Sequence, residues 1–483
     1  MKTILVLAVC GVAAVGRLGA ADGYTLPAGL LAGEVTSHRA ILQARLGAEA
    51  AAPDGDRPGR EGWVRFELSP GGDFSAARAT PWRRARAEDD FIVKEVVSGL
   101  EPGAEYHYRA RFGATPATAS ASAPQRFRTP AAADVAAPLR LAMLNCLSHY
   151  AFFHGSPPSR FHDQRAYAGA DRDEGYPALE ALARLAPDAL VFAGDNAYYD
   201  NPPDHAARTV PEMRAFWHRQ FALPRVRRVF GVAATYWMKD DHDFRFNDAD
   251  LTGPERPTPA DGIRIFREQV PVTDPADPAA RTYRTVRFGR DLQVWFLEGR
   301  DYRSPNRMPD GPGKSIWGAE QLAWLHATLR ASDATFRLIV SPTPLVGPDG
   351  NEKTDNHTNR GGFQAEGEAF FAWLAANGIP PDGCFILCGD RHWKYHARHP
   401  SGYEEFSCGA LDRTNSRAGV RSGHPDSTDP EGRVRQLHVQ REPGGGFLTV
   451  ELTPAAGGEP ARLRFRLHEQ DGSVRYEVER ARR

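Results

Sequence analysis

Ala189-Leu190-Val191-Phe192-Ala193-Gly194-Asp195-Asn196-Ala197-Tyr198-Tyr199-Asp200 is the stretch whose reading decides the fold class. Five apolar residues stop at a glycine and an aspartate, the pattern of a buried strand that runs into a tight turn carrying a polar side chain. Upstream, Tyr176 to Leu185 has the pattern of a helix. Helix, strand and polar turn in succession is the rhythm of an α/β domain, and in such domains the loops at the carboxyl ends of the strands line the active crevice.

Three more stretches share this grammar: Leu141 to Cys146, Tyr236 to His242, and Cys384 to His392. Four strand tips bearing Cys, Asp and His outline a metal centre. Hard cations favour carboxylate oxygen, and a thiolate or phenolate on the same ion calls for a metal acidic enough to deprotonate it. Asp195 and Tyr198 can face one ion, and Asp195 is the residue placed to bridge two. In Lys239-Asp240-Asp241-His242-Asp243, like charges crowd so closely that a cation or proton must accompany them. His242, set among acids that raise its pKa, suits the protonation of a leaving oxygen. Asp390 and His392 are expected on one side of an extended chain, where they can share an ion.

Working outward, the chain has 483 residues, enough for several domains. Its 60 basic and 61 acidic residues nearly cancel, so no long-range field favours nucleic acid. Residues 23–129 alternate in short strands with turn residues between, as in Gly62 to Leu68 and Tyr106 to Phe112, which suggests a β-sandwich; Gly99 to Tyr108 resembles a fibronectin III turn and strand. A connector rich in alanine and proline, Thr129 to Pro138, precedes the α/β region, 139–483. The tail beyond Phe447 reads as a closing antiparallel hairpin.

Residues 1–20 resemble a signal peptide: Lys2, an apolar stretch from Ile4 to Val15, then Leu18-Gly19-Ala20. That predicts a periplasmic or extracellular protein. No stretch has the roughly 20 apolar residues that a transmembrane helix needs. Cys384 and Cys388 lie four apart on one strand, too far to bridge, and read as core thiols. Cys146 has two readings at this point, as a metal ligand or as a disulfide with Cys408. Gly311-Pro312-Gly313-Lys314-Ser315 ends like a phosphate-binding loop, but the first glycine of that motif is missing and no strand precedes it. Trp317, Trp324 and Trp393 read as core rather than as stacking platforms.

Gly194-Asp195 with Tyr198, Asp240 to Asp243 with Asn247-Asp248, and Gly389-Asp390-Arg391-His392 together resemble the PhoD-like alkaline phosphatase and phosphodiesterase family of metallophosphatases. The N-terminal sandwich, Arg300 and the helix-like Trp317 to Leu325 fit the same order, with Glu298 in an acidic place before Arg300. The resemblance implies a four-layer α/β/β/α catalytic domain behind a small fibronectin III/Ig-like sandwich, with two or more metal ions, Fe3+ and Ca2+. It places Cys146, Asp195, Tyr198, Asp390 and His392 around the metals, Asp241 and Asn247 at a second site, and His242 at the transition state. Arg300, His357 and Arg391 are expected at the substrate, with a structural pairing to Asp243 as the other reading of Arg391. The implied activity is hydrolysis of phosphate esters by a metal-bound water without a covalent intermediate, in a monomer. Two alternatives share these residues: a metal-dependent esterase or lactonase, and a binding protein without catalysis.

Overall fold

The structure, a computed structural model, describes residues 23–50, 56–156 and 165–482. The expected signal peptide and Cys10 lie outside these residues.

Two sheets form the middle of the molecule. In the first, Leu139–Leu144, Ala189–Ala193 and Ala234–Met238 run parallel side by side. In the second, Leu292–Phe296, Phe336–Ser341, Cys384–Cys388 and Glu404–Cys408 do the same. Side chains on a strand point alternately to opposite faces, and the apolar runs use both. Leu141, Met143 and Val191 face Leu338, Val340, Phe385 and Leu387 of the other sheet in one continuous core. Ala142, Leu144, Leu190 and Phe192 face outward into a second core, closed by Leu179, Trp217, Phe230 and Phe266 from the helices Pro177–Arg184, Val210–Ala222, Pro224–Phe230 and Pro259–Gln269. On the far side Ile339 and Ile386 meet Leu325, Leu329, Phe370 and Leu374 of the helices Gly318–Ala331 and Gln364–Ala376. The result is the four-layer α/β/β/α arrangement. Strands buried on both faces cannot alternate apolar and polar residues, which is why they read as unbroken apolar runs.

The C-terminal segment forms three antiparallel strands, Gly446–Thr453, Ala461–Glu469 and Val474–Arg482, on one flank of the first sheet. The N-terminal β-sandwich occupies the other flank. One of its layers, Leu30–Gly33, Arg39–Arg45 and Ile92–Ser98, is continuous with the first sheet, so that nine strands among the described residues share it. The junction is Leu30–Gly33 beside Ala234–Met238, with Glu34 N–H donating to the Thr235 carbonyl at 3.1 Å and Tyr236 OH to the Val35 carbonyl at 2.6 Å. The other layer, with six strands among the described residues, is centred on Gly62–Ser69 and Glu105–Gly113.

Candidate metal centre

The four tips converge where the carboxyl ends of the parallel strands from the two sheets meet. The backbone there departs from ordinary conformations. Cys146 (φ 53°), Asp195 (φ 53°), Asp248 (φ 57°) and Asp390 (φ 60°) are all left-handed, a conformation that costs a non-glycine residue roughly 1 kcal/mol or more and that clusters at functional sites. Glycines permit the close approach. A Cβ on Gly194 (φ 101°) would lie 2.8 Å from Asp240 Cβ, and one on Gly389 would lie 2.2 Å from the Ala193 carbonyl oxygen.

Three overlapping groups of donors result, each with its ligand atoms within 4.8 Å of one another: Cys146, Asp195 and His392; Asp195, Asp241 and His242; Asp241, Asp248 and Asp355. Asp195 is common to the first two and Asp241 to the last two. In the first group Cys146 Sγ lies 3.3 Å and Tyr198 OH 3.2 Å from Asp195 Oδ2. The other oxygen, Asp195 Oδ1, is buried with no hydrogen-bond partner. Asn415 Nδ2 donates to Tyr198 OH at 2.9 Å and to the Cys146 carbonyl at 3.1 Å, while its own carbonyl faces His392 Nδ1. In the third group Asp241 accepts from the backbone N–H of His242 at 2.9 Å and of Asp248 at 2.6 Å. The Arg300 guanidinium lies 3.6 Å from Asp355 and 4.0 Å from Asp241.

His242 stands between the groups. Its Nδ1 is 2.7 Å from Asp200 Oδ1, and its ring stacks on Tyr198 at 4.2 Å. Opposite a carboxylate, which only accepts, Nδ1 must carry its proton, and Nε2 is left for the centre. Burial alone would lower the pKa of His242, but the charges of Asp200, Asp241 and Asp195 outweigh it and hold the imidazole well above its usual value.

The anionic donors behave in the opposite sense. Burial, then the neighbouring Asp195 charge, pushes the Cys146 thiol and the Tyr198 phenol well up, and burial with the adjacent aspartates raises Asp195. Burial and the charges of Asp355, Asp349 and Asp241 bring Asp390 to about 7, against the pull of Arg391. Desolvated anions packed this closely need multivalent cations, which invert the local pKa logic and take thiolate, phenolate and carboxylate as ligands. The orphaned Asp195 oxygen and the mixed donor set both fit metal ions.

Of the residues expected from sequence, Cys146, Asp195, Tyr198, Asp241, His242 and His392 come together. Cys146 is a free thiol, as are the other described cysteines, so the bridge to Cys408 is absent. Cys384 and Cys388 are core thiols as expected.

Five other expected residues have different surroundings. Asp390 and His392 are not on an extended chain: the backbone turns at Asp390, whose carboxylate belongs to none of the three groups and accepts from Arg391 at 2.6 Å. Asn247 is exposed and gives only its backbone N–H, to Asp200 at 2.8 Å; Asp248 and Asp355 accompany Asp241 instead. Arg300, expected at the substrate, is fully buried, with Nε donating to Asp240 at 2.6 Å and Nη1 to the Ala249 carbonyl at 2.9 Å. Arg391 is likewise buried on Asp349 and Asp390, and it does not meet Asp243, which accepts from Asn196 and the Asp240 backbone. His357 is buried against Trp317 with Nε2 2.9 Å from Glu366.

Asp200, Asn415 and Asp355 were not singled out for any role by sequence reasoning. For Asp200 the signal lay in the opening stretch, an acid two residues beyond Tyr198 and level with the His242 loop.

A family model described as PhoD-like phosphatase matches residues 165–456, and one described as PhoD-like phosphatase, N-terminal domain, matches residues 14–131. Among solved structures, that titled "Structure of PhoD" is similar with a TM-score of 0.72 at 17% identity, covering 95% of this chain and 89% of that one. Purple acid phosphatase PPD1 from yellow lupin (Lupinus luteus) seeds is similar with a TM-score of 0.59 at 12% identity, covering 94% of this chain and 73% of that one. No curated protein matches. At such identities the structural likeness establishes the fold. Cys146 falls between the two matched ranges, so its place in the centre rests on geometry.

Proposed function

This chain belongs to the PhoD-like phosphatase family of metal-dependent phosphoric ester hydrolases, and we propose that it hydrolyses mono- or diesters at a centre holding Fe3+ beside Ca2+. In this reading Cys146, Asp195, Tyr198 and His392 hold the iron, and Asp241, Asp248 and Asp355 hold calcium. The observation that carries the proposal is the shared corner at Asp195, whose carboxylate belongs at once to the thiol-bearing group and to the group containing Asp241.

When bound, a pair of metal ions lowers the pKa of water and neutralises charge on a phosphoryl group. The protein's own contribution is orientation. Asp200 fixes the His242 ring with Nε2 toward the centre, where a proton can be given to the departing alkoxide. Asn415 locks the Tyr198 oxygen and the Cys146 backbone in one arrangement. In this reading the attack is direct, by water, with no covalent intermediate. Arg300 and Arg391 act behind the centre, as buried counter-charges to Asp240, Asp349 and Asp390. We further propose export through residues 1–20; among the described residues no helix is long and apolar enough to cross a membrane.

The test is activity of the metal-replete protein on bis- and mono-nitrophenyl phosphate, with metal content and visible spectra of wild type, Cys146→Ala and Tyr198→Phe. An iron-tyrosinate absorbs in the visible, and that band should vanish in Tyr198→Phe. Inactivity on both esters refutes the reading, and a colourless, iron-free, fully active protein refutes the iron assignment.

A further inference from the structure

The group of Asp241, Asp248 and Asp355 has a cation of its own. Lys353 reaches in from the loop between Asp349 and Asn359, and its Nζ donates to Asp248 Oδ1. It also lies close enough to Asp241, Asp355 and Asp390 to act on their charges. The Lys353 side chain is 23% exposed, whereas Asp241 and Asp355 are nearly covered at 3% and 4%. The ammonium thus sits at the mouth of the carboxylate group with the acids beneath it.

The other positive neighbours of Asp241 are not free to move. Arg300 is wholly buried and tied to Asp240 and the Ala249 carbonyl. His242 is tied to Asp200. Lys353 is the most exposed of the three, at 23% against 13% for His242 and none for Arg300, and it is bonded to a residue that is itself one-third exposed. Arg300 divides its charge between Asp240 and the group, Arg303 is buried with Nη2 on the Asp355 carbonyl, and His242 is shared with Asp195 and Asp200, so the lysine is the positive neighbour best placed to leave. A divalent ion brings twice the charge of an ammonium and takes six to eight oxygen ligands where the ammonium offers three donors. Two cations cannot share these oxygens at contact distance.

We propose that Lys353 is a tethered counter-ion that competes with the divalent cation for the Asp241, Asp248 and Asp355 site, and that ion binding expels it toward solvent. The lysine keeps the acids neutralised before the ion arrives, and it sets how much of the intrinsic affinity is realised. This inference rests on the second metal site proposed above.

The experiment uses the full chain, stripped of divalent ions with a chelator and titrated with Ca2+ by calorimetry, for wild type, Lys353→Met, Lys353→Arg and Asp248→Asn. Lys353→Met should bind Ca2+ tighter by about two- to fivefold, the worth of one partly exposed ion pair. Lys353→Arg, which keeps the charge, should stay near wild type, and Asp248→Asn should bind more weakly. In parallel, reductive methylation read by mass spectrometry should label Lys353 faster once Ca2+ is added, while lysines remote from the site keep their rates. Calcium binding that is unchanged or weaker in Lys353→Met, or labelling of Lys353 that slows on calcium addition, overturns the competition while leaving the site standing. Absence of Ca2+ binding in wild type overturns the second site and the inference together.

Discussion

Replacing Asp200 with asparagine separates the electrostatic role of this residue from its structural one. Asp200 makes two contacts: Oδ1 with His242 Nδ1 at 2.7 Å, and Oδ2 with the Asn247 backbone N–H at 2.8 Å. An asparagine carbonyl can still accept one of these bonds, so the loop keeps its path while the charge is lost. The pair is mostly buried, at 13% and 20% side-chain exposure, and a hydrogen bond to a charged partner contributes about 1.5–3 kcal/mol in such surroundings. If that energy serves to keep His242 protonated in the transition state, kcat/KM falls by about 10- to 150-fold. The sign with pH follows from the direction of the shift. His242 is held well above its ordinary value by Asp200, Asp241 and Asp195, and the last two are committed to metal ions in the proposed centre. Without Asp200, His242 loses its proton at lower pH, so the deficit should be smallest near pH 6 and widen toward pH 9. The assay is a pH profile of bis-nitrophenyl phosphate hydrolysis at fixed metal loading. A deficit that is constant across that range, or smaller than about threefold, would refute the argument that Asp200 acts through the charge of His242.

Arg300→Met leaves Asp240 buried and unpaired, which should cost about 3–5 kcal/mol by urea denaturation; a raised KM with unchanged stability would return Arg300 to the substrate. Gly194→Ala forces a Cβ to within 2.8 Å of Asp240 Cβ at a φ of 101°, and the protein should lose bound iron and at least about 2 kcal/mol of stability, as metal analysis and a melt would show. The sandwich is latched to the catalytic domain by His218, whose Nε2 is 2.6 Å from Asp90 and whose Nδ1 is 3.1 Å from Asp56. Burial opposes the charge of Asp90, but His218 and Arg45 bring its pKa from 3.8 to about 2, worth about 2 kcal/mol above pH 4 and lost as pH falls through 2. Burial likewise opposes the raised pKa of His218, won from Asp56 and Asp90, so its share is complete below pH 6.5 and lost as pH rises through the folded value. Stability against urea should therefore be broadest between pH 4 and 6.5, and Asp90→Asn should flatten the acid limb.

The strand tips were legible because burial on both faces writes an unbroken apolar run, and because the chain marks the end of each run with a residue able to hold a metal ion. Ala189 to Asp195 needed nothing else. The arginines lie behind the centre for a physical reason. A centre crowded with carboxylates needs counter-charges, and here they come from behind: Arg300 on Asp240, Arg391 on Asp349 and Asp390. In sequence, a buried counter-charge and a substrate-binding cation look alike. Asp355 is a different case. It joins Asp241 and Asp248 only because the loop after Phe336–Ser341 folds over the loop after Ala234–Met238, and no local pattern encodes that closure.

The sandwich was legible as an arrangement of strands but not as part of the catalytic sheet. Its first layer should have shown alternate exposed positions, yet Leu30–Gly33 is buried throughout, and Arg39–Arg45 is buried beyond its first residue. Gln43 and Arg45 explain how. These polar side chains lie under catalytic elements, Gln43 Nε2 donating to the Gln269 carbonyl at 2.7 Å and Arg45 pairing with Asp90 beside His218. Leu30–Gly33 in turn covers what would be the open edge of Ala234–Met238, an exposed row of unpaired backbone groups that folded proteins avoid. That strand leads directly into Lys239, Asp240, Asp241 and His242. Lys239 is itself fully buried, its Nζ 2.7 Å from Glu298 and 2.5 Å from Asp301. The strand bearing the most crowded tip of the centre is therefore held on one flank by the N-terminal layer, and its tip is held from the second sheet by the Glu298 pair. The positions of Asp241 and His242 depend on both domains, although each residue belongs to only one of them.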